Sequence, residues 1–166
     1  MKLILVRHSD AEDIREFARN GKPDSLRPLT KKGLKKMKQV SKGLQTIVSS
    51  AQILASSPWL RAMQTAESLG KRYDLETKPL NSLCGDSHIE EAAVWLKKQS
   101  PDKTIILVGH EPYLGRLASW LVSGQKKSFV TFSKGGACLI EYEGHAIPGE
   151  GNLIWHLKPS HLISLK

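Results

Sequence analysis

Two apolar tetrads constrain this chain more than anything else in it: Leu3-Ile4-Leu5-Val6 and Ile105-Ile106-Leu107-Val108. Neither alternates with polar residues, so neither suits a strand with one face in water. Short continuous runs of leucine and β-branched residues read as strands buried on both faces, and such strands belong to parallel sheets covered by helices on either side. Each tetrad is followed, one residue later, by a histidine, in Arg7-His8 and in Gly109-His110. Both histidines then stand at the carboxyl ends of their strands, the edge where open α/β sheets bind ligands. A third segment, Ile53-Leu54-Ala55-Ser56-Ser57-Pro58-Trp59-Leu60-Arg61, reads as a strand running into a helix with an arginine in its first turn.

The rest of the chain fits that frame. Strands are expected near residues 2–7, 51–56, 75–79, 104–109, 136–143 and 152–158. Between Lys31 and Ile47, the residues Leu34, Met37, Val40, Leu44 and Ile47 form one helical stripe behind Thr30 as N-cap. Ser57 and Pro58 suit the N-cap and first position of a helix running to Gly70, with Leu60, Met63, Ala66 and Leu69 inward. Ser87 with Glu90 has the form of a capping box for a helix through Lys98. Pro112 opens another helix with Leu114, Leu117, Ala118 and Leu121 facing the core. This alternation predicts a single domain over residues 1–166, a three-layer α/β/α sandwich with a mainly parallel central sheet. The last two strands, separated by Gly144 to Gly151, form an antiparallel pair at an edge. The polar stretch from Asp10 to Leu29 is expected to be a loop with a short helix over the active edge.

Composition narrows the function classes. At 166 residues and 40% hydrophobic the chain can bury a real core. No apolar run approaches a membrane span, and the run after Met1 is too short for a signal peptide before it meets Arg7. Cys84 and Cys138 make neither a disulfide framework nor a metal cluster. A cytoplasmic monomer without membrane attachment is expected. The net charge of +9 is uneven: Lys31, Lys32, Lys35, Lys36, Lys38 and Lys42 share one stretch without an acid. That stretch is either a solvated helix face or a surface that steers an acidic partner. No aromatic residues interleave with these lysines, so a nucleic-acid platform lacks its stacking partners.

The residues gathered at the sheet edge suit phosphoryl chemistry. A phosphoryl group needs an in-line nucleophile and cations on its oxygens. Neutral imidazole supplies the first near pH 7, and guanidinium forks supply the second. Arg7, His8, Arg61 and His110 make such a set, with Gly109 letting backbone approach the ligand. Asp10 is close enough in sequence to orient His8. Two arginines beside the histidines disfavour a dication, so neither metal nor other cofactor is expected. His88, His145, His156 and His161 lack a partner pattern and read as surface or packing residues. Trp59, Trp95, Trp120 and Trp155 read as core or half-buried residues, and Glu12, Asp13 and Glu16 as a solvated loop.

At these positions the chain resembles the histidine phosphatase superfamily, with its phosphoglycerate-mutase-like fold. Arg7-His8 after the first strand, Ser57-x-x-x-Arg61-Ala62-x-Gln64-Thr65 and Gly109-His110-Glu111-Pro112 carry the likeness. Arg27-Pro28-Leu29-Thr30-x-x-Gly33 and Leu83-Cys84-Gly85-Asp86 resemble its SixA-type branch of small phosphohistidine phosphatases. The resemblance implies that His8 is a transiently phosphorylated nucleophile. It implies that Arg7, Arg61 and His110 form the phosphate pocket, with Arg27 as a further pocket arginine. Ser9 stands where the family usually has glycine and could bring its hydroxyl near the phosphate. Glu111 and Asp86 are the candidates for a proton donor, alongside solvent; Glu111 reads equally well as an N-cap carboxylate for the following helix. The reading is a metal-independent phosphatase of phosphohistidine on a protein. Its rivals are the same chemistry on a small phosphate ester and a non-catalytic phosphate- or nucleic-acid-binding module.

Overall fold

The computed structural model describes residues Met1–Lys166. Six strands, β1 (Lys2–Arg7), β2 (Ile53–Ser56), β3 (Thr77–Pro79), β4 (Thr104–Gly109), β5 (Ala137–Glu141) and β6 (Asn152–Leu157), form one sheet in the order β3-β2-β4-β1-β5-β6. The pairs β3·β2, β2·β4 and β4·β1 are parallel, while β5 runs antiparallel to both β1 and β6. Six helices complete the chain: α1 (Ile14–Ala18), α2 (Lys31–Ile47), α3 (Leu60–Tyr73), α4 (Ile89–Lys97), α5 (Tyr113–Ser123) and α6 (Pro159–Ser164).

The strand pleat divides the core in two. Leu3, Leu5, Ile105 and Leu107 pack with Ala92 and Leu96 of α4 and with Leu114, Leu117 and Leu121 of α5. Their neighbours Ile4, Val6, Ile106 and Val108 pack with Met37, Val40 and Leu44 of α2, Ala62, Ala66 and Leu69 of α3, and Leu162 of α6. Consecutive residues feed opposite layers, so the tetrads have no polar position because neither face is free. The three-layer sandwich with an antiparallel edge is therefore present as expected.

Several local expectations need correction. α2 begins where Thr30 predicts, with the Thr30 hydroxyl accepting from the Gly33 N–H. It ends at Ile47, which is exposed, because the extended Val48 turns into the core instead. α3 starts at Leu60, two residues later than Ser57 as N-cap requires, and runs on to Tyr73. Its buried face is Arg61, Ala62, Thr65, Ala66 and Leu69, so Leu60 and Met63 are only half-buried. The Ser87–Glu90 capping box does not form. Ser87 donates to the Asn81 carbonyl, Glu90 pairs with Lys126, and the helix begins at Ile89.

The segment after β1 becomes a structured flap. The Asp13 carboxylate caps α1 by accepting from the Arg15 and Glu16 N–H groups. Phe17 anchors the flap in the core, a single turn of 3₁₀ helix spans Asp24–Leu26, and an Ala11–Leu29 bridge closes its neck.

Candidate active site

The site is assembled by the central strand pair. Arg7 and Gly109 are register partners in β1 and β4, so His8 and His110 both emerge at the carboxyl edge, one step beyond them. The His8 N–H donates to the Gly109 carbonyl at 3.0 Å and extends that ladder. Both imidazoles are buried, with ring centroids 5.1 Å apart. They line a cavity of about 690 Å³ whose wall also includes Arg7, Arg27, Trp59 and Arg61.

The two rings are held in different ways. His8 Nδ1 lies 2.7 Å from the Ser9 carbonyl oxygen. A carbonyl only accepts, so Nδ1 carries the proton and Nε2 keeps its lone pair. Burial pushes the His8 pKa down to about 4, with Arg61, Arg7 and Arg27 acting in the same direction against the bond to Ser9. His8 is therefore neutral and nucleophilic at pH 7. His110 Nε2 lies 2.8 Å from the Ser57 hydroxyl. Burial, then the neighbouring His8 and Arg61, lower its pKa to about 3.

The arginines are anchored by groups from distant segments. Arg7 donates from Nη1 to the Phe132 carbonyl at 2.5 Å. Arg61 is 4% exposed and donates to the carbonyl and carboxylate of Asp24 at 2.8 and 3.0 Å. Arg27 donates from Nε to the other Asp24 oxygen at 2.6 Å and from Nη1 to the Glu12 carbonyl at 2.7 Å. One flap carboxylate thus joins the two guanidiniums and ties the flap to Arg61. Partial burial alone would raise the Asp24 pKa, but bonds and charges from Arg27 and Arg61 outweigh it and hold the carboxyl low. Arg7 Nε, Arg61 Nε and His110 Nδ1 are buried without protein partners. Buried polar nitrogens normally have partners, and the two guanidinium Nε–H groups among these three can only donate, so a cationic cavity beside them suits an anion.

The structure brings Arg7, His8, Arg27, Arg61, His110, Glu111 and Asp86 to this cavity and leaves Ser9 out. Ser9 is fully buried, donates its N–H to Thr65 Oγ1 at 3.1 Å, and has a hydroxyl without a partner. A side chain beneath the site cannot touch a ligand in it. Asp10 does not orient His8; its carboxylate lies 2.5 Å from Lys36 Nζ. The small size of Gly109 answers to packing, since a Cβ there would lie 3.2 Å from the Leu114 side chain. Glu111 does not cap α5; it accepts from the Phe132 N–H at 2.6 Å. Trp59, read as a core or half-buried residue, is half-buried and forms a wall of the site. It sits 4.8 Å from the His110 ring and 4.6 Å from the Arg61 guanidinium carbon, measured to ring centroids. Asp24 carries no signal in the sequence, because its partner Arg61 is 37 residues away. No group of three or more His, Cys, Asp or Glu side chains is arranged to hold a metal ion.

A sequence profile of the histidine phosphatase superfamily (branch 1) matches residues 3–84. An uncharacterized protein of Picosynechococcus is 34% identical over 140 residues, 82% of each chain. The chain belongs to the histidine phosphatase superfamily. Within this superfamily it is similar to SixA: phosphohistidine phosphatase SixA of Escherichia coli K12 is 26% identical over 166 residues, 98% of this chain and 96% of that one. The fold agrees. The structure of SixA complexed with tungstate superposes with a TM-score of 0.82 at 23% identity, covering 98% of this chain and 99% of that chain. A phosphoserine phosphatase mutant of Entamoeba histolytica, in complex with phosphoserine, superposes at 0.71 with 18% identity, covering 97% and 98%. Membership of this superfamily, together with the likeness to SixA, supports a phosphatase activity. No helix is long and apolar enough to cross a membrane.

Proposed function

We propose that this phosphatase removes phosphate from phosphohistidine on a protein, without a metal, through a phosphohistidine formed on His8. The observation that carries the reading is the His8 ring: its Nδ1 is committed to the Ser9 carbonyl, and its Nε2 is free beside the guanidinium groups. Nε2 attacks phosphorus, the bond to the substrate nitrogen breaks, and the departing imidazole is protonated by solvent. Arg7, Arg61, Arg27 and His110 take the oxygens. Water then attacks the phosphorus, the bond from phosphorus to His8 Nε2 breaks, inorganic phosphate leaves with the oxygen of the water, and the displaced proton passes to phosphate or solvent, so that His8 returns to its neutral form with Nδ1–H retained. A labile P–N bond demands less of an acid than an alkyl ester does, and an open cavity admits a side chain presented by another protein.

Glu111 and Asp86 favour a second reading, since either carboxyl at the cavity could protonate the alkoxide of a small phosphate ester. Comparing kcat/KM for a panel of phosphohistidine proteins against small phosphate esters separates the two. A clear advantage for the proteins is expected; higher values for an ester would move the substrate class. His8→Ala is expected to lower kcat by at least about 10³-fold. Quenched turnover is expected to leave acid-labile, alkali-stable phosphate on His8, and label on a serine or aspartate would overturn the mechanism. Activity is expected to survive exhaustive chelation; loss with EDTA, restored by a divalent ion, would contradict the metal-free step.

A further inference from the structure

We propose that Ser57 is a positioning residue that fixes the tautomer of His110, so that a neutral ring presents Nδ1–H to the phosphoryl oxygens. The inference rests on the phosphatase reading for its consequence, but its core concerns a proton that can be located without any substrate.

Ser57 is fully buried and belongs to neither β2 nor α3. Its N–H donates to the Val108 carbonyl at 2.9 Å, which pins it beside the end of β4. The hydroxyl has one proton to give. Its close neighbours are His110 Nε2 at 2.8 Å and Cys84 Sγ at 3.9 Å. Imidazole nitrogen is a far better acceptor than a thiol sulfur, and the shorter contact is with the imidazole. The Trp59 N–H, 3.4 Å away, points at the hydroxyl oxygen and takes one of its lone pairs. The hydroxyl proton therefore goes to Nε2, and the ring proton must sit on Nδ1.

That nitrogen is the one His110 nitrogen without a protein partner. In the opposite tautomer it would hold a lone pair toward the bound anion, which repels it. Protonating the whole ring would solve this, but burial beside His8, Arg61 and Arg7 works against a charged imidazole. A neutral donor with a fixed tautomer is the remaining arrangement. The two histidines then share one protonation pattern with different tasks. In His8 the Ser9 carbonyl takes Nδ1–H and leaves a lone pair for attack; in His110 the Ser57 hydroxyl takes Nε2 and leaves a donor for binding.

The test is ¹⁵N NMR of the ring nitrogens in the full-length chain near pH 7, with His110 assigned by its loss in His110→Gln. The expected wild-type spectrum has pyrrole-type Nδ1 and pyridine-type Nε2 at His110. Ser57→Ala should move the pattern toward Nε2–H and lower kcat/KM for a generic aryl phosphate by about 10- to 100-fold, short of deleting an oxyanion donor. Ser56→Ala, which removes a neighbouring buried hydroxyl that donates to the Ser57 carbonyl, serves as the structural control. It should leave the His110 pattern unchanged. An Nε2–H pattern in the wild type, or the same pattern in wild type and Ser57→Ala, overturns the proposal even if Ser57→Ala is less active. Should the wild type hydrolyse no phosphate at all, the phosphatase reading fails while the tautomer assignment stands or falls on the spectrum.

Discussion

At the scale of single residues, the site works by removing choices. Arg61 is held by Asp24 and flanked by Trp59, so its guanidinium plane is set before a ligand arrives. Lysine keeps the charge but loses the fork. Arg61→Lys is expected to cost about 1–3 kcal/mol of transition-state stabilisation, read from kcat/KM; a near wild-type value would remove Arg61 from the pocket. Asp24→Ala removes the carboxylate that both arginines share, leaving Arg61 with the backbone carbonyl at position 24 and Arg27 with the Glu12 carbonyl, and a bound phosphate dianion can gather them again. KM is therefore expected to rise several-fold while kcat changes less, and a loss confined to kcat would contradict this. The acid limb of the rate follows from His8, which faces Arg61, Arg7, Arg27 and the His110 ring. Because its pKa is pushed down to about 4, the proposed nucleophile stays unprotonated well below the ordinary histidine range. Enzyme-limited kcat/KM should hold from pH 7 to near 5 and fall as pH drops through about 4, whereas a limb at an ordinary histidine pKa would show an unburied ring.

At the scale of elements, what could be read from the sequence separates cleanly from what could not. The strands are legible because a strand buried on both faces needs an unbroken apolar run, and Leu3–Val6 and Ile105–Val108 supply one each. Helix starts are less legible, because serine is asked to do competing jobs. Ser57 looks like a cap, but its hydroxyl is committed to His110; Ser87 looks like a cap, but it donates to Asn81. Asp24 and Trp59 could not be found from spacing, since the role of Asp24 depends on a flap folding back onto α3 and that of Trp59 on His110 arriving from the end of β4. The lysines of α2 divide in the same way. Lys36 is drawn to Asp10 and to the Lys134 carbonyl, whereas Lys31, Lys32 and Lys35 are exposed. Changing those three to Gln should lower kcat/KM on a phosphoprotein, most at low salt, and leave a small aryl phosphate unaffected. Equal losses on both substrates would show a role in the fold, and no loss on either would leave a plain solvated face. Elsewhere α2 has no slack: a Cβ at Gly43 would come within 1.7 Å of the Leu162 carbonyl oxygen. Gly43→Ala is expected to destabilise the docking of α6 by about 1–3 kcal/mol or more in urea unfolding.

At the scale of the whole molecule, the neutral histidines link stability to acidity. His8 and His110 have native pKa values of about 4 and 3, below the ordinary value of 6.5. Between those limits the unfolded chain binds protons that the native chain refuses, so stability rises with pH there. Stability is expected to fall as pH drops from about 6.5 towards 4, and His110→Gln should flatten that slope; an unchanged slope would show that His110 titrates normally in the native state. A different consequence follows from the pairing of β1 with β4. The two histidines extend the most central ladder of the sheet, while Arg27 belongs to a flap held by the Ala11–Leu29 bridge, the Leu29 N–H bond to Gln64, the buried Phe17 and Leu29 and the Asp24 contacts. Opening of the flap takes Arg27 away and leaves the imidazole pair in place; separating the imidazoles requires the centre of the protein to come apart. Amide hydrogen exchange should therefore report two clocks within one candidate active site, fast at residues 12–27 and, at residues 4–8 and 105–110, as slow as global unfolding allows.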